Sequence, residues 1–168
     1  MAAQGKIRIG TRGSPLALAQ ANEVRDRLVA AHGIAPDDVE VAVISTAGDR
    51  IQDRPLSEAG GKGLFTKEIE EALLANGADI AVHSMKDVPT VLPDGLGIGA
   101  LLPREDPRDA LVDRWGVTLL DLPEGARIGT SSPRRTAQLR HGRGDVRFLP
   151  IRGNVETRLE KAAGPDYD

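Results

Sequence analysis

The stretch KIRIGTRGSPLALAQ (6–20) decides how the chain is read. KIRIGT (6–11) alternates polar and apolar residues, with isoleucines at 7 and 9, which is the period of a strand. Gly13-Ser14-Pro15 then punctuates the chain. Ser14 is a favourable N-cap, and Pro15 suits the first helical position because its missing N–H would be unsatisfied there anyway. Leu18, Ala21, Val24 and Leu28 recur at spacings of three and four, so a helix is predicted to about Ala31, ended by Gly33. A strand that passes through a short polar turn into a helix opens an α/β unit.

The pattern recurs on both sides of a polar break. DVEVAVIS (38–45) reads as a second strand. Residues 46–63 are polar, contain Gly48, Gly60, Gly61 and Gly63, and read as a long loop in which Asp49 is solvated or capping. A helix is predicted at about 64–76, with Phe65, Ile69, Ala72 and Leu73 on one face and Gly77 after its end. ADIAVHS (78–84) reads as a buried strand and LGIGALL (96–102) as another. REDPRDA (104–110) is polar and contains proline, so it marks a crossover between units at 1–103 and 104–168. After it come a short helix near 117–121, strand ARIGT (126–130), helix 133–141, strand VRFLP (146–150) and helix 154–163. The fold class is therefore α/β with mostly parallel strands. A further strand is expected after GPDYD (164–168), so the second unit reads as unfinished.

Composition narrows the function. Of the 168 residues 40% are apolar and 28% charged, enough for a core and too balanced for a disordered chain. Aromatics are 2%, which argues against base-stacking platforms, and nucleic acid is not an expected partner. Cysteine is absent, and His32, His83 and His141 are far apart, so no metal site is expected. No apolar run approaches the length of a membrane span, and MAAQGKIRIG lacks a secretory apolar core, so a cytoplasmic protein is expected. The net charge is −3, yet residues 131–158 hold seven arginines (134, 135, 140, 143, 147, 152, 158) against Asp145 and Glu156. That local excess points to an anionic ligand, with a solvated charged face as the alternative.

Four strand-to-helix turns could carry chemistry. In GTSSPRR (129–135), Ser132 can cap a helix opened by Pro133, and free N–H groups there favour an anion. Thr130, Ser131 and Ser132 add hydroxyls, and Arg134 and Arg135 add guanidinium forks suited to carboxylate or phosphate. An ordinary capped helix with surface arginines remains open. IRGNVETRL (151–159) repeats the logic with Arg152, cap Asn154 and Arg158; the alternative is simple pairing with Glu156 and Glu160. Strand C-termini of an open α/β sheet face one crevice, so both arginine-bearing turns are expected to share a cleft. TRGSPLALAQ (11–20) places Arg12 and Ser14 at a third mouth. HSMKDVP (83–89) places His83, Ser84, Lys86 and Asp87 at a fourth. Lys86 and Asp87 read either as a self-neutralised structural pair or as a carboxylate-binding cation beside a cation-stabilising acid. GGKGLF (60–65) is a weak phosphate-loop signal and reads equally as a hinge or lid.

Taken together, TRGSPLALAQ (11–20), GGKGLF (60–65), ADIAVHSMKDVP (78–89), REDPRDA (104–110), GTSSPRR (129–135) and RGNVETRL (152–159) resemble the hydroxymethylbilane synthase, or porphobilinogen deaminase, family in order and spacing. The resemblance covers the whole chain and about the first half of the family's usual length. It implies two lobes like those of periplasmic binding proteins, with the active site in the cleft between them. It also implies stepwise deaminative condensation of four porphobilinogen units on a dipyrromethane primer held by a cysteine of a third domain. By motif match Asp87 is the catalytic aspartate. Ser84, Lys86, Thr130, Ser132, Arg134, Arg135 and Arg158 match cofactor-binding positions, and Arg12, Ser14, Gln20 and Arg152 match positions near the incoming substrate. Lys62 and Phe65 match the family's mobile loop and its edge. With no cysteine and no third domain here, the 168-residue chain is expected to be a truncated form, with both lobes incomplete, inactive alone and marginally stable through exposed strand edges. The full-length form is expected to be a monomer. A non-catalytic anion-binding α/β module is the competing reading.

Overall fold

A computed structural model describes residues 5–50 and 63–168. The chain divides into two compact units, Met1–Leu101 and Leu102–Asp168.

The first unit is built on β1 (Ile7–Thr11), α1 (Pro15–His32), β2 (Val39–Val43), a short helix α2 (Ala47–Arg50), α3 (Lys67–Leu74) and β3 (Ile80–Ala81). Its sheet has the order β2-β1-β3, with both pairings parallel. Ile9 pairs with Val41 on one side and Ile80 on the other. The ends of α1 follow from local chemistry. The Ser14 hydroxyl accepts from the Ala17 N–H at 3.4 Å, and Gly33 adopts a left-handed φ of 62° to donate to the Val29 carbonyl. The inward stripe of α1 packs Ala21, Val24 and Leu28 onto Ile9 and Val39 of the sheet. On β1, a Cβ at Gly10 would stand 3.3 Å from Ala78 Cβ and 3.4 Å from Ile69, so glycine lets α3 approach the central strand closely. Arg8 ties β1 to the turn before β3, donating to both Asp79 carboxylate oxygens at 2.8–3.1 Å and to the Asn76 carbonyl.

The second unit holds β4 (Arg127–Gly129), α4 (Pro133–Gly142), β5 (Arg147–Leu149) and α5 (Val155–Ala162). β4 and β5 are parallel and in register from Arg127–Arg147 to Gly129–Leu149. Leu122, Ala126 and Val146 form its core, with Val117, Leu119, Ile128 and Phe148 packed against them. Ser132 caps α4 through the Arg135 N–H, and Asn154 caps α5 through the Thr157 N–H at 2.9 Å.

Several local expectations are corrected. LGIGALL (96–102) is not a strand; it lacks a ladder partner among the described residues and is exposed apart from Leu96, which is half-buried. Alternation alone cannot make a strand, because the backbone groups must also find a neighbour. Residues 47–50, expected as loop, form the helical turn α2. The strand expected over 78–84 pairs only at Ile80–Ala81. The short helix expected near 117–121 is a tight 3₁₀ turn at Leu119–Asp121. The helix expected over about 64–76 is shorter, Lys67–Leu74, and Asn76 beyond it takes the left-handed conformation with φ 56°.

Candidate functional site

In the first unit three strand ends open on the same edge of a parallel sheet. The order β2-β1-β3 makes the gap between β1 and β3 a topological switch point, where α/β sheets bind ligands. Arg12 and Ser14 follow β1, Thr46 and Asp49 follow β2, and His83, Ser84, Lys86 and Asp87 follow β3. The turn after β3 is a 3₁₀ turn, Met85–Asp87, closed by the Asp87 N–H on the Ser84 carbonyl at 2.9 Å. The Ser84 hydroxyl donates to Gln20 Oε1 at 3.1 Å, which brings two sequence-predicted positions 64 residues apart into contact. Asp87 is half-buried, and its carboxylate makes no hydrogen bond or ion pair among the described residues. Lys86 is exposed and does not pair with it. The self-neutralised pairing left open by the sequence is therefore not formed. Ser14 is occupied locally as the cap of α1.

Arg12 is fixed rather than free. Its Nε donates to Asp49 Oδ1 at 2.9 Å, its Nη2 donates to the same oxygen, and its guanidinium stacks 4.1 Å from the Phe65 ring centre. Asp49 also accepts from the Thr46 hydroxyl at 2.8 Å and the Thr46 N–H at 3.2 Å. Burial pushes the Asp49 carboxyl up, but the Arg12 guanidinium and the two Thr46 donors outweigh it and hold it below the ordinary carboxylate range. Sequence reasoning noticed Asp49 and discounted it; the polar run STAGD directly after a strand was the available signal. His83 sits among these groups. Burial lowers its pKa, Glu70 and Asp87 pull it up, Arg12 lowers it further, and the net value lies below the ordinary imidazole range. Lys62 lies outside the described residues.

In the second unit the two arginine-bearing turns lie side by side. The Ser131 hydroxyl donates to the Ile151 carbonyl at 2.7 Å and accepts the Ile151 N–H at 3.1 Å, and the Thr130 N–H reaches the Leu149 carbonyl at 2.9 Å. Ser131 is thus a clasp between strand ends. A hollow of about 450 Å³ lies beside the first turn, lined by Thr130, Ser132, Thr136, Arg140 and Phe148 among others.

The arginines there divide into two sets. Arg143 donates to Asp145 and to the carbonyls of Leu119, Leu120, Leu122 and Pro123 at 2.6–3.4 Å. That guanidinium holds the Asp145 carboxyl down to about 2. Arg135 is forked onto Asp109 at 2.6 and 2.7 Å, and Arg158 Nε turns back to the Gly153 carbonyl at 2.9 Å. Arg134 is exposed and makes no side-chain hydrogen bond among the described residues. Arg152 is half-buried with Nη1 enclosed and without a partner. No pairing of Arg152 or Arg158 with Glu156 or Glu160 is present among the described residues. Two of the seven arginines are engaged within the fold: Arg143 ties the 119–123 turn and Asp145, and Arg135 pairs with Asp109.

No helix among the described residues is long and apolar enough to cross a membrane, and none of their His, Asp and Glu side chains group as a metal site.

Comparison with known proteins fits this arrangement. Residues 7–168 match the family described as "Porphobilinogen deaminase, dipyromethane cofactor binding domain". Porphobilinogen deaminase of Paracoccus denitrificans is 61% identical over 158 residues, covering 94% of this chain and 50% of that protein. The porphobilinogen deaminases of Nitrobacter hamburgensis and Nitrobacter winogradskyi are each 59% identical over 160 residues, covering 95% of this chain and 51% of theirs. The chain spans about half the length of these curated relatives. With the family pattern matched from the first strand to the last residue, the chain belongs to the porphobilinogen deaminase family.

Proposed function

We propose that this chain supplies the first two lobes of a cytoplasmic, monomeric hydroxymethylbilane synthase, which condenses four porphobilinogen units with loss of ammonia and belongs to tetrapyrrole (heme) biosynthesis. Residues 1–103 and 104–168 correspond to incomplete forms of these two lobes, and the primer's cysteine belongs to a third domain outside these residues. The observation that carries the reading is the Asp87 carboxylate, which follows β3 beside a parallel-sheet switch point and has no hydrogen-bond or ion-pair partner among the described residues, with the Ser84–Gln20 contact in the same turn.

Porphobilinogen is a pyrrole with an aminomethyl group, an acetate and a propionate. When ammonia leaves, the methylene carbon and ring nitrogen share a positive charge. A carboxylate held just past a strand end, with no ion pair among the described residues, stabilises that charge and accepts a hydrogen bond from the pyrrole N–H. Arg12, with Ser14, Gln20 and Arg152, receives the side-chain carboxylates of the incoming ring.

A dipyrromethane primer, when bound, supplies the nucleophilic pyrrole carbon. The second unit fits its carboxylates on chemical grounds: Arg134 is exposed and makes no side-chain hydrogen bond among the described residues. Ser84, Lys86, Thr130, Ser132, Arg134, Arg135 and Arg158 are the residues that would hold it. Arg135 does so only by exchanging Asp109 for the ligand. Its covalent anchor lies outside this chain, which has no cysteine.

Titration calorimetry of the chain with porphobilinogen, acetate and phosphate tests the reading. Porphobilinogen is expected to bind at least about tenfold more tightly than acetate, since it engages two carboxylate sites. Equal affinity for all three would leave a generic anion-binding module. In the full-length enzyme, Asp87→Asn is expected to lower turnover by about 10²–10³-fold, the scale of a lost electrostatic stabiliser.

A further inference from the structure

We infer that Asp49 is a positioning residue for substrate binding, acting through Arg12: it holds the inner edge of the guanidinium so that the outer edge is presented to a substrate carboxylate. The inference rests on the proposal that Arg12 receives such a carboxylate.

The geometry separates the two edges of the guanidinium. Both contacts to Asp49 use one carboxylate oxygen, Oδ1, and come from Nε and Nη2. Nη1 has no hydrogen-bond partner among the described residues, so the Nη1/Nη2 edge keeps donors for a bidentate carboxylate. The second oxygen of Asp49, Oδ2, is held by the Thr46 hydroxyl and N–H, and Thr46 is fully buried. The carboxylate therefore cannot swing with the arginine; it is anchored to the end of β2. Phe65 fixes the remaining freedom by stacking on the guanidinium plane at 4.1 Å. Its ring lies against Gly48, where any Cβ would collide with it, and the Gly48 N–H donates to the Leu64 carbonyl at 2.7 Å. An arginine loses several rotatable bonds when it binds; here most of that ordering is already in place before the ligand arrives. The side chain of Arg12 is 22% exposed. Arg12 has two attachments with different chemistry, an ion pair and a ring stack, and each can be removed separately.

The test is a double-mutant cycle in the full chain, read by calorimetric titration with porphobilinogen and by circular dichroism. Asp49→Asn is expected to raise Kd about tenfold or more, as misorientation of a binding group does. Asp49→Glu should recover part of the loss. In an Arg12→Ala background, Asp49→Asn should change Kd far less than in wild type, because the guanidinium it orients is gone. Phe65→Leu, which leaves the ion pair intact, should raise Kd by a smaller factor, about two- to fivefold. Equal Kd values for wild type and Asp49→Asn would overturn the inference, as would an undiminished Asp49 effect in the Arg12→Ala background. If Asp49→Asn does not fold, Asp49→Glu and Phe65→Leu decide: wild-type Kd in both refutes positioning. Failure of wild type to bind porphobilinogen at all instead refutes the functional proposal on which the inference rests.

Discussion

The two units carry cations at their strand ends in opposite ways. The first unit has few cations and arranges them: Arg12 is braced by Asp49, Thr46 and Phe65, and the Asp87 carboxylate makes no ion pair among the described residues. The second unit has many arginines and spends several on itself, with Arg143 closing the 119–123 turn, Arg135 on Asp109 and Arg127 on Asp168. Charge counted along a sequence overstates charge offered to a ligand. What matters is which guanidinium groups are left after the fold has satisfied its own carbonyls and carboxylates.

The sharpest way to break this comparison is through the cores. Ile9 is fully buried on the central strand of the first unit, whereas the buried residues of the second keep a few per cent exposure. Ile9→Ala is expected to cost about 2–5 kcal/mol in urea unfolding followed by circular dichroism. Val146→Ala, at the less enclosed core, should cost about 1–2 kcal/mol. Equal costs would mean that the second unit is as tightly packed as the first.

The division of arginines is tested next. Arg143→Met strands four carbonyls and Asp145, so the transition reported by Trp115 fluorescence should fall by several degrees, roughly 5–10 °C. Arg134→Met should leave that transition within about 2 °C, as surface substitutions do, and weaken anion binding instead. A similar loss from both variants would dissolve the distinction between structural and available arginines.

The smallest expected effect is acid sensitivity. His83 is held neutral below its ordinary value, so the unfolded chain binds the proton more readily, and first-unit stability falls as pH drops below about 6.5. Asp145, lowered to about 2, contributes stability that is full above the ordinary carboxylate pKa and is lost as pH falls from about 4 towards 2. Acidification should therefore soften the first unit before the second. His83→Gln should remove the earlier of the two losses, seen as a flat circular-dichroism melting temperature between about pH 6.5 and 5.

Much of this was legible in advance, and the reasons are local. Ser14, Pro15 and Gly33 bound α1 because capping and left-handed φ are set by the residue itself and its near neighbours. The same holds for Ser132 and Asn154. The strand expected at 96–102 failed because a strand is a relation between segments, and periodicity describes only one of them. Asp49 was set aside for a similar reason: its importance comes from Arg12, 37 residues earlier in the chain.

The alternation of strands and helices, the capped turns and the acid and basic residues at strand ends are written in the chain itself, since each depends on covalent neighbours and short-range hydrogen bonding. The order β2-β1-β3, the bracing of Arg12 by Asp49 and the capture of Arg143 by the 119–123 carbonyls belong to the folded chain alone. Those are outcomes of competition among groups far apart in the chain, settled by which partner the packed backbone brings within hydrogen-bonding distance.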